Sequence, residues 1–421
     1  MNAEIICVGT EIVLGDILNT HSQFLSRELA ALGINVYYHT AVGDNDGRFT
    51  GILKTALERS DTVFLTGGLG PTTDDITKEV ACQLLGIPCY YNETIGNGLK
   101  EWFARSGRTM TENNLKQAMI PEGAVIVENH WGTAPGLIIT KGEKTVVLLP
   151  GPPRELRPMF EHGVKPYFQK RMGQPIVSHS LRVFGIGESA LEAQIEDLVV
   201  SQDPTVALYA KDGEVLIRVT SKGDTTEQAE QKIQAMIRTL QERLGSRIYG
   251  VDVDSLHQVV VEELIRRGET IATAESCTGG KLAMQITQIS GASQIFHMGE
   301  VTYANHIKHQ QLGVSEETLQ TVGAVSRETA VQMAKGLAQR SKADYNVSIT
   351  GIAGPTGGTE EKPVGTVYIG VEHHGKVWCE RYSLGRHRGE REYIRTLSCL
   401  NALNMVRLTM MDPKTEENYK D

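Results

Sequence analysis

The chain of 421 residues is longer than a typical single domain, and its length suggests two to four domains. Hydrophobic residues make up 40% and charged residues 22%, and there are 43 glycines, a composition typical of a soluble α/β protein with many strand-to-helix turns. The net charge is −9 and no basic run occurs, which argues against a dedicated nucleic-acid-binding protein and favours small-molecule partners.

The cysteines and the apolar runs indicate the compartment. None of the six cysteines forms a C-x-x-C pair, so a zinc site or a disulfide framework is poorly supported, and scattered thiols suit a reducing environment. The amino terminus runs straight into a strand-like segment without a signal-peptide pattern. No apolar run approaches the roughly 18 residues that span a membrane. We therefore expect a cytoplasmic protein with no membrane partner.

The first third of the chain alternates strand and helix patterns. Residues 3–8 predict a buried strand, and residues 22–32 predict a helix with an Ala/Leu face. A strand at 36–40, a helix at about 49–59 and a strand at 62–66 continue the alternation. This βαβ rhythm is typical of a parallel sheet.

A glycine-rich turn follows the strand at 62–66, and it ends in two carboxylates, Asp74 and Asp75, before a helix predicted at 76–85. Its glycines can offer backbone N–H groups to a diphosphate, while Asp75, Asp74 and Glu11 supply oxygen ligands for a hard cation. The alternative is that the two aspartates only cap the following helix, where carboxylates are favoured in any case.

Three segments of this region resemble the molybdopterin-binding fold of MogA and MoeA, in the version attached to CinA proteins: 11–19, 66–75 and 149–153. The resemblance covers residues 1–172. It implies a three-layer α/β domain with ADP-ribose pyrophosphatase activity and a divalent metal of the magnesium kind. The implied substrate-binding residues are Gly67, Gly68, Gly70 and Asn19, and the implied metal ligands are Asp75, Asp74 and Glu11.

Residues 173–251 follow a different pattern that predicts a small βαββαβ domain of the α+β class. We expect a strand at 178–184, a helix at 188–200, a hairpin of strands 206–209 and 215–219, a helix at 226–244 and a strand at 247–249. The hairpin is expected to turn at Asp212-Gly213. This segment resembles the KH-like middle domain of CinA proteins but has no Gly-x-x-Gly loop flanked by basic residues, so we expect a spacer or a dimerisation module.

The last domain, predicted at 252–421, begins with a helix at 256–267 and contains the most informative stretch of the chain. In that stretch Ser276 follows an apolar strand, and Gly279 and Gly280 precede a helix. The glycines free backbone N–H groups for a ligand at the helix N-terminus, so this turn can bind an oxyanion or a phosphate. The alternative is an ordinary strand-to-helix turn.

Polar residues also end two later strands of this domain. Tyr303 and Lys308 follow one strand, and Thr350-Gly351 ends another. In an open α/β sheet, ligands bind beyond the carboxyl ends of the strands. We therefore expect these residues to gather at one edge of the sheet.

Four ordered motifs of this domain resemble the CinA C-terminal domain, the nicotinamide-nucleotide amidase: 276–280, 303–308, 350–355 and 361–367. The resemblance implies an α/β amidase domain that deamidates nicotinamide mononucleotide without a cofactor. It supports a catalytic pair of Ser276 and Lys308, with Tyr303 as a supporting hydroxyl.

The residue types allow the same chemistry but leave alternatives open. Lys308 can act as a base only if its surroundings lower its pKa towards neutrality; a solvated lysine is the alternative. Cys277 is a rival nucleophile. The candidate oxyanion donors are the backbone N–H groups of Thr278, Gly279 and Gly280. The candidate phosphate-binding residues are Arg391, Lys362, Thr350 and Gly351.

Three functions therefore compete. The first is a bifunctional hydrolase of pyridine-nucleotide salvage, a homodimer acting on nicotinamide mononucleotide and ADP-ribose. The second is a protein whose N-terminal domain binds a pterin or a nucleotide without turnover. The third is an interaction partner in competence or DNA repair, against which the acidic net charge argues.

Overall fold

The computed structural model describes residues 1–171, 176–385 and 391–411. The predicted boundary between residues 172 and 173 and the tail from residue 412 lie outside these ranges, and the three domain limits stay predictions. The chain forms two compact units, Met1–Val177 with Lys222–Glu230, and Ser178–Ser221 with Gln231–Asp421. Within the described ranges, no helix is long and apolar enough to cross a membrane.

The strands of the first unit are β1 (Asn2–Val8), β2 (Asn35–Val42), β3 (Thr62–Thr66), β4 (Cys89–Tyr91), β5 (Met119–Pro121), β6 (Val125–Val127), β7 (Gly136–Lys141) and β8 (Lys144–Leu149). Six of them form a sheet of order β2-β1-β3-β8-β7-β6, in which β1, β2, β3 and β8 are parallel, and β4 pairs with β5 in a separate two-stranded sheet. The α-helices are α1 (Thr10–Leu14), α2 (Thr20–Ala31), α3 (Asp46–Arg59), α4 (Thr77–Leu85), α5 (Glu93–Arg105), α6 (Pro153–Met159) and α7 (Lys165–Gln169).

Helices cover both faces of this sheet. Ile6 of β1 belongs to a core with Phe49 and Leu53 of α3, whereas Ile5 belongs to a second core with Leu25 of α2. Successive residues of a strand point to opposite faces, so these are the two sides of one sheet. The predicted three-layer α/β fold is confirmed.

The four-stranded sheet of the second unit has the order β10-β11-β9-β12. The elements of this segment are β9 (Ile176–Phe184), α8 (Glu188–Gln194), α9 (Glu196–Val199), β10 (Thr205–Lys211), β11 (Glu214–Lys222), α10 (Thr226–Leu244) and β12 (Ile248–Val251). The predicted hairpin turns at the expected position, where Lys211 pairs with Glu214 and Gly213 has a positive φ of 82°. Asp212 lacks the positive φ of a type I′ turn, the type that an Asp-Gly pair favours. The single helix predicted at 188–200 is wrong: Ile195 leaves the helical region and separates α8 from α9.

The five-stranded sheet of the second unit has the order β14-β13-β15-β16-β17. Its strands are β13 (Ile271–Glu275), β14 (Phe296–Val301), β15 (Tyr345–Gly351), β16 (Thr366–His373) and β17 (Lys376–Ser383). The accompanying helices are α11 (Leu256–Arg267), α12 (Lys281–Thr287), α13 (Asn305–Leu312), α14 (Glu316–Thr321), α15 (Arg327–Ser341) and α16 (Arg391–Met411). Because β13, β14 and β15 are parallel, their carboxyl ends lie at one edge of the sheet, as predicted.

Candidate functional site

Ser276 and Lys308 meet at this edge. Ser276 directly follows β13, and its amide donates to the Ile349 carbonyl of β15 at 2.9 Å, which fixes the residue to the end of the sheet. Lys308 lies on α13, and its Nζ is 3.0 Å from the Ser276 Oγ. The exposed fractions of the two residues are 8% and 1%, so the contact is shielded from solvent.

The surroundings of Lys308 make its uncharged form more accessible than that of an ordinary lysine. Burial lowers its pKa to about 8, from an ordinary value near 10.4. Its Nζ also lies 2.8 Å from the Thr302 carbonyl oxygen and 3.1 Å from that of Tyr303. A charged amine can donate to the Ser276 hydroxyl and to both carbonyls. Once it is neutral, its two N–H groups can donate to the carbonyls, and its lone pair is then available to the Ser276 hydroxyl. The solvated lysine considered above is not what the structure shows.

The neighbouring thiol is not activated in the same way. Cys277 is 5% exposed, and burial raises the pKa of its thiol to about 11. A thiol with such a pKa remains protonated at neutral pH, and the thiol is a much poorer nucleophile than the thiolate.

Backbone amides of the turn after Ser276 are partly occupied by the protein itself. The Gly279 amide donates to the Ser276 carbonyl at 3.1 Å, and the Gly280 amide donates to the Glu275 carboxylate at 3.0 Å. These two predicted oxyanion donors are therefore engaged in this structure. Of the three predicted amides, that of Thr278 is the remaining candidate.

Glu275 is a feature that the sequence analysis did not assign. Its buried carboxylate also accepts from the amides of Leu282 at 3.1 Å and Ala283 at 2.8 Å, at the start of α12. A carboxylate is favoured at a helix N-terminus, where it satisfies free N–H groups. A glutamate just before a glycine-rich strand-to-helix turn was the available signal.

Arg395 is a second residue that the sequence analysis missed. Its Nη2 and Nε donate to the Thr278 carbonyl at 2.7 and 3.3 Å, so α16 holds the same turn from another direction. The signal was the four-residue spacing from Arg391, which places both arginines on one face of a helix.

Tyr303 and Arg391 are brought together, but at the outer part of the site. The Tyr303 side chain is exposed, and its hydroxyl lies 3.1 Å from Arg391 Nη2. Arg391 Nη1 donates to the Gly354 carbonyl at 2.8 Å. Tyr303 therefore contacts Lys308 through its backbone carbonyl, whereas its side-chain hydroxyl contacts Arg391.

Two predicted phosphate-binding residues are engaged with one backbone segment. The Thr350 hydroxyl donates to the Ala324 carbonyl at 2.6 Å, and Lys362 Nζ donates to the Val322 carbonyl at 2.8 Å. Gly351 closes β15 beside them. In this structure, Thr350 and Lys362 hold the segment after α14.

The first unit has a cavity of about 390 Å³ beyond the carboxyl ends of its parallel strands. The predicted residues that line it are Glu11, Gly67, Gly68, Gly70, Asp74 and Asp75. Gly67 is required by its backbone, because φ is 91° and a Cβ would lie 2.1 Å from the Val8 carbonyl oxygen. Asn19 is not among the lining residues: its side chain caps α2 by accepting from the Ser22 amide at 3.1 Å.

The two aspartates do not cap the following helix. α4 begins at Thr77 without a side-chain cap bond, and Asp75 instead accepts from the amide and the hydroxyl of Thr72. The nearby Thr72 side chain is the main cause that lowers the pKa of Asp74. Asp74 is therefore ionised at neutral pH, while Asp75 holds the loop.

The lining residues fit a hard divalent cation in chemistry and charge. Glu11, Asp74 and Asp75 are oxygen donors around one cavity. Among the residues that the structure describes, no three His, Cys, Asp or Glu side chains form a ready ligand group. Magnesium commonly binds through one or two carboxylates together with substrate phosphates, and this cavity can accommodate that mode.

Three parts of the chain match known protein families. Residues 4–170 match the probable molybdopterin binding domain, residues 178–250 the damage-inducible protein CinA KH domain, and residues 253–410 the CinA C-terminal domain. The chain is similar over its whole length to a CinA-like protein of Kosmotoga olearia, with 47% identity covering 98% of this chain and 99% of the relative. A CinA-like protein of Dictyoglomus thermophilum is also 47% identical, covering 98% and 100%.

A solved structure is similar to part of the chain. The crystal structure of the competence/damage inducible protein CihA from Agrobacterium tumefaciens is 43% identical, with a TM-score of 0.35, and the match covers 36% of this chain and 92% of that one. The family matches and the full-length relatives show that the chain belongs to the CinA family.

Proposed function

We propose that the protein is a bifunctional hydrolase of pyridine-nucleotide salvage. The C-terminal domain deamidates nicotinamide mononucleotide to nicotinate mononucleotide and ammonia, and the N-terminal domain hydrolyses ADP-ribose to AMP and ribose 5-phosphate. The observation that carries the first activity is the buried contact of 3.0 Å between Lys308 Nζ and Ser276 Oγ, with the lysine pKa lowered to about 8.

The contact supports acyl transfer through serine. Ser276 Oγ attacks the carboxamide carbon while its proton passes to the neutral amine of Lys308. The tetrahedral intermediate collapses when Lys308 returns that proton to the departing nitrogen, which leaves as ammonia. Water then attacks the ester, with Lys308 again as the base, and releases nicotinate mononucleotide and free Ser276. One water is consumed for each ammonia released.

The guanidinium groups of α16 suit the rest of this substrate. Arg391 lies at the exposed side of the site beside Tyr303, and Arg395 holds the turn that carries Ser276. A guanidinium binds a phosphate through two N–H groups, so Arg391 is our candidate for the phosphate of the mononucleotide.

The N-terminal activity rests on the cavity around the glycine turn. Its backbone can approach a diphosphate closely because Gly67 and Gly68 have no side chains. A divalent cation held by Asp74, Asp75 and Glu11 would neutralise the diphosphate charge and activate a water. The second candidate for this domain is binding of a pterin or nucleotide without turnover.

Two product assays on the purified full chain test the proposal. We expect ammonia from nicotinamide mononucleotide both with and without a metal chelator, and AMP from ADP-ribose only with a divalent cation present. Absence of ammonia at saturating substrate contradicts the amidase. Binding of ADP-ribose without any AMP release would establish the non-catalytic alternative for the N-terminal domain.

A further inference from the structure

Two buried polar side chains border the N-terminal cavity without a role in the chemistry above. His21 and Gln117 both line the cavity, with exposed fractions of 8% and 3%. Within the described part of the chain, His21 Nε2 and Gln117 Oε1 have no hydrogen-bond partner. Leaving such an atom unsatisfied costs about 1–3 kcal/mol. Two of them around one cavity indicate that a ligand supplies the partners.

The end of β3 and the glycine turn that follows it hold the side chains of His21 and Gln117 in place. His21 Nδ1 lies 3.3 Å from the Thr66 hydroxyl, at the end of β3. Gln117 Nε2 donates to the Leu69 carbonyl at 3.2 Å. This bond fixes the orientation of the amide, because the reversed orientation would set two acceptor oxygens against each other. The free atom of Gln117 is therefore an acceptor, and it requires a donor from the ligand.

The neutral His21 ring and the acceptor atom of Gln117 restrict the chemical groups that the ligand can place beside them. Burial, with a smaller effect from Arg157, lowers the pKa of His21 below its ordinary value, so the imidazole is neutral at pH 7. Ionised phosphate oxygens accept hydrogen bonds but do not donate them, so a phosphate cannot satisfy Gln117 Oε1. A sugar hydroxyl both donates and accepts, so it can satisfy either atom.

We propose that His21 Nε2 and Gln117 Oε1 bind ribose hydroxyls of a nucleoside diphosphate sugar, beside the turn that receives the diphosphate. The two residues then select sugar-bearing diphosphates over a diphosphate alone. This inference rests on the function proposed for the N-terminal domain and deepens it.

Calorimetric titration of the full chain with ADP-ribose and with inorganic pyrophosphate tests the inference. His21→Phe and Gln117→Met remove the hydrogen-bonding atoms at similar volume. We expect each to weaken ADP-ribose binding by about tenfold, the equivalent of one lost hydrogen bond, and to leave pyrophosphate binding unchanged. His21→Gln, which keeps a polar end, should lose less than His21→Phe. The thermal midpoint of each variant reports whether it folds.

Two results with the variants would overturn the inference. Equal weakening of ADP-ribose and pyrophosphate binding would show that His21 and Gln117 only support the glycine turn. Unchanged ADP-ribose binding would show that neither residue contacts the ligand. A wild-type chain that binds ADP-ribose without releasing AMP contradicts the proposed hydrolysis alone. A wild-type chain that does not bind ADP-ribose overturns both.

Discussion

Lys308 is the residue whose role depends most on the folded structure. Its sequence position allowed a solvated lysine as readily as a base, because nothing in the local sequence fixes the burial of its amine. The fold excludes solvent from Nζ and places two carbonyls and one hydroxyl around it. The pairing with Ser276 was expected from the family motifs, but the lowered pKa is a property of the tertiary packing.

The rate of deamidation should depend on the ionisation of Lys308. Only the neutral amine accepts the serine proton, and burial lowers the lysine pKa to about 8. We therefore expect kcat/KM for nicotinamide mononucleotide to rise with pH and to level off above about pH 8. A profile that continues to rise towards pH 10 would mean that the amine titrates as an ordinary lysine.

The same burial should make Lys308 a cost to stability. Its folded pKa lies below its unfolded value, so the free energy of unfolding rises as pH increases from about 8 to about 10.4, and at pH 7 the full penalty is present. Lys308→Met should raise the free energy of unfolding at pH 7 by about 1–3 kcal/mol while abolishing ammonia release. Urea denaturation at pH 7 and pH 10 measures this, and the gain should shrink at pH 10. If Lys308→Met is less stable than the wild type at both pH 7 and pH 10, the buried amine is not a cost to stability.

At the scale of elements, the strand-to-helix turns were predictable and their internal bonding was not. The turns after β3 and β13 contain glycines with positive φ, a conformation that favours glycine, and they lie at strand ends as expected: Gly67, Gly68, Gly279 and Gly280. The partner of the Gly280 amide was not predictable, because it is the side chain of Glu275, which points into the turn. Asn19 shows the same limit: its position suggested a ligand contact, and the fold uses it as a helix cap.

The Glu275 carboxylate should support both the fold and the reaction. In the wild type, the two carboxylate oxygens of Glu275 accept hydrogen bonds from three backbone amides. Glu275→Gln leaves one acceptor oxygen, so we expect a loss of about 1–3 kcal/mol in the free energy of unfolding and a lower kcat. Denaturant unfolding and ammonia release measure the two effects. The matched control is Glu328→Gln, an exposed glutamate in the first turn of α15, which should change neither. Equal behaviour of the two variants would contradict the role of Glu275.

At the scale of the whole molecule, the order of elements was readable because hydrophobic runs and glycine turns alternate along the chain. The grouping of these elements into compact units was less readable from the sequence. Residues 178–221 form one compact unit with the described residues from 231 to 411. The middle domain expected at 173–251 from the change of pattern stays a prediction. Sequence periodicity reports which residues are buried but not which segments share a core.

The two candidate sites lie in different units, so their activities should be separable. Asp75→Ala should lower metal-dependent AMP release from ADP-ribose by about 100-fold or more and leave ammonia release unchanged. Because Asp75 also accepts from Thr72, the control is Thr72→Val, which keeps the carboxylate and removes its hydroxyl donor. If Thr72→Val loses as much activity, Asp75 acts by holding the loop. Loss of both activities in a folded variant would contradict independent sites.

We expect Ser276 and Lys308 to act as one catalytic unit, which can be tested by measuring kcat for ammonia release from saturating nicotinamide mononucleotide in four variants. Ser276→Ala and Lys308→Ala should each lower kcat by about 1,000-fold or more, and the double variant should lose little beyond either one, because residues that act together are not additive. Cys277→Ala should retain most of the rate. An inactive Cys277→Ala alongside an active Ser276→Ala would contradict the serine mechanism and assign the reaction to the thiol.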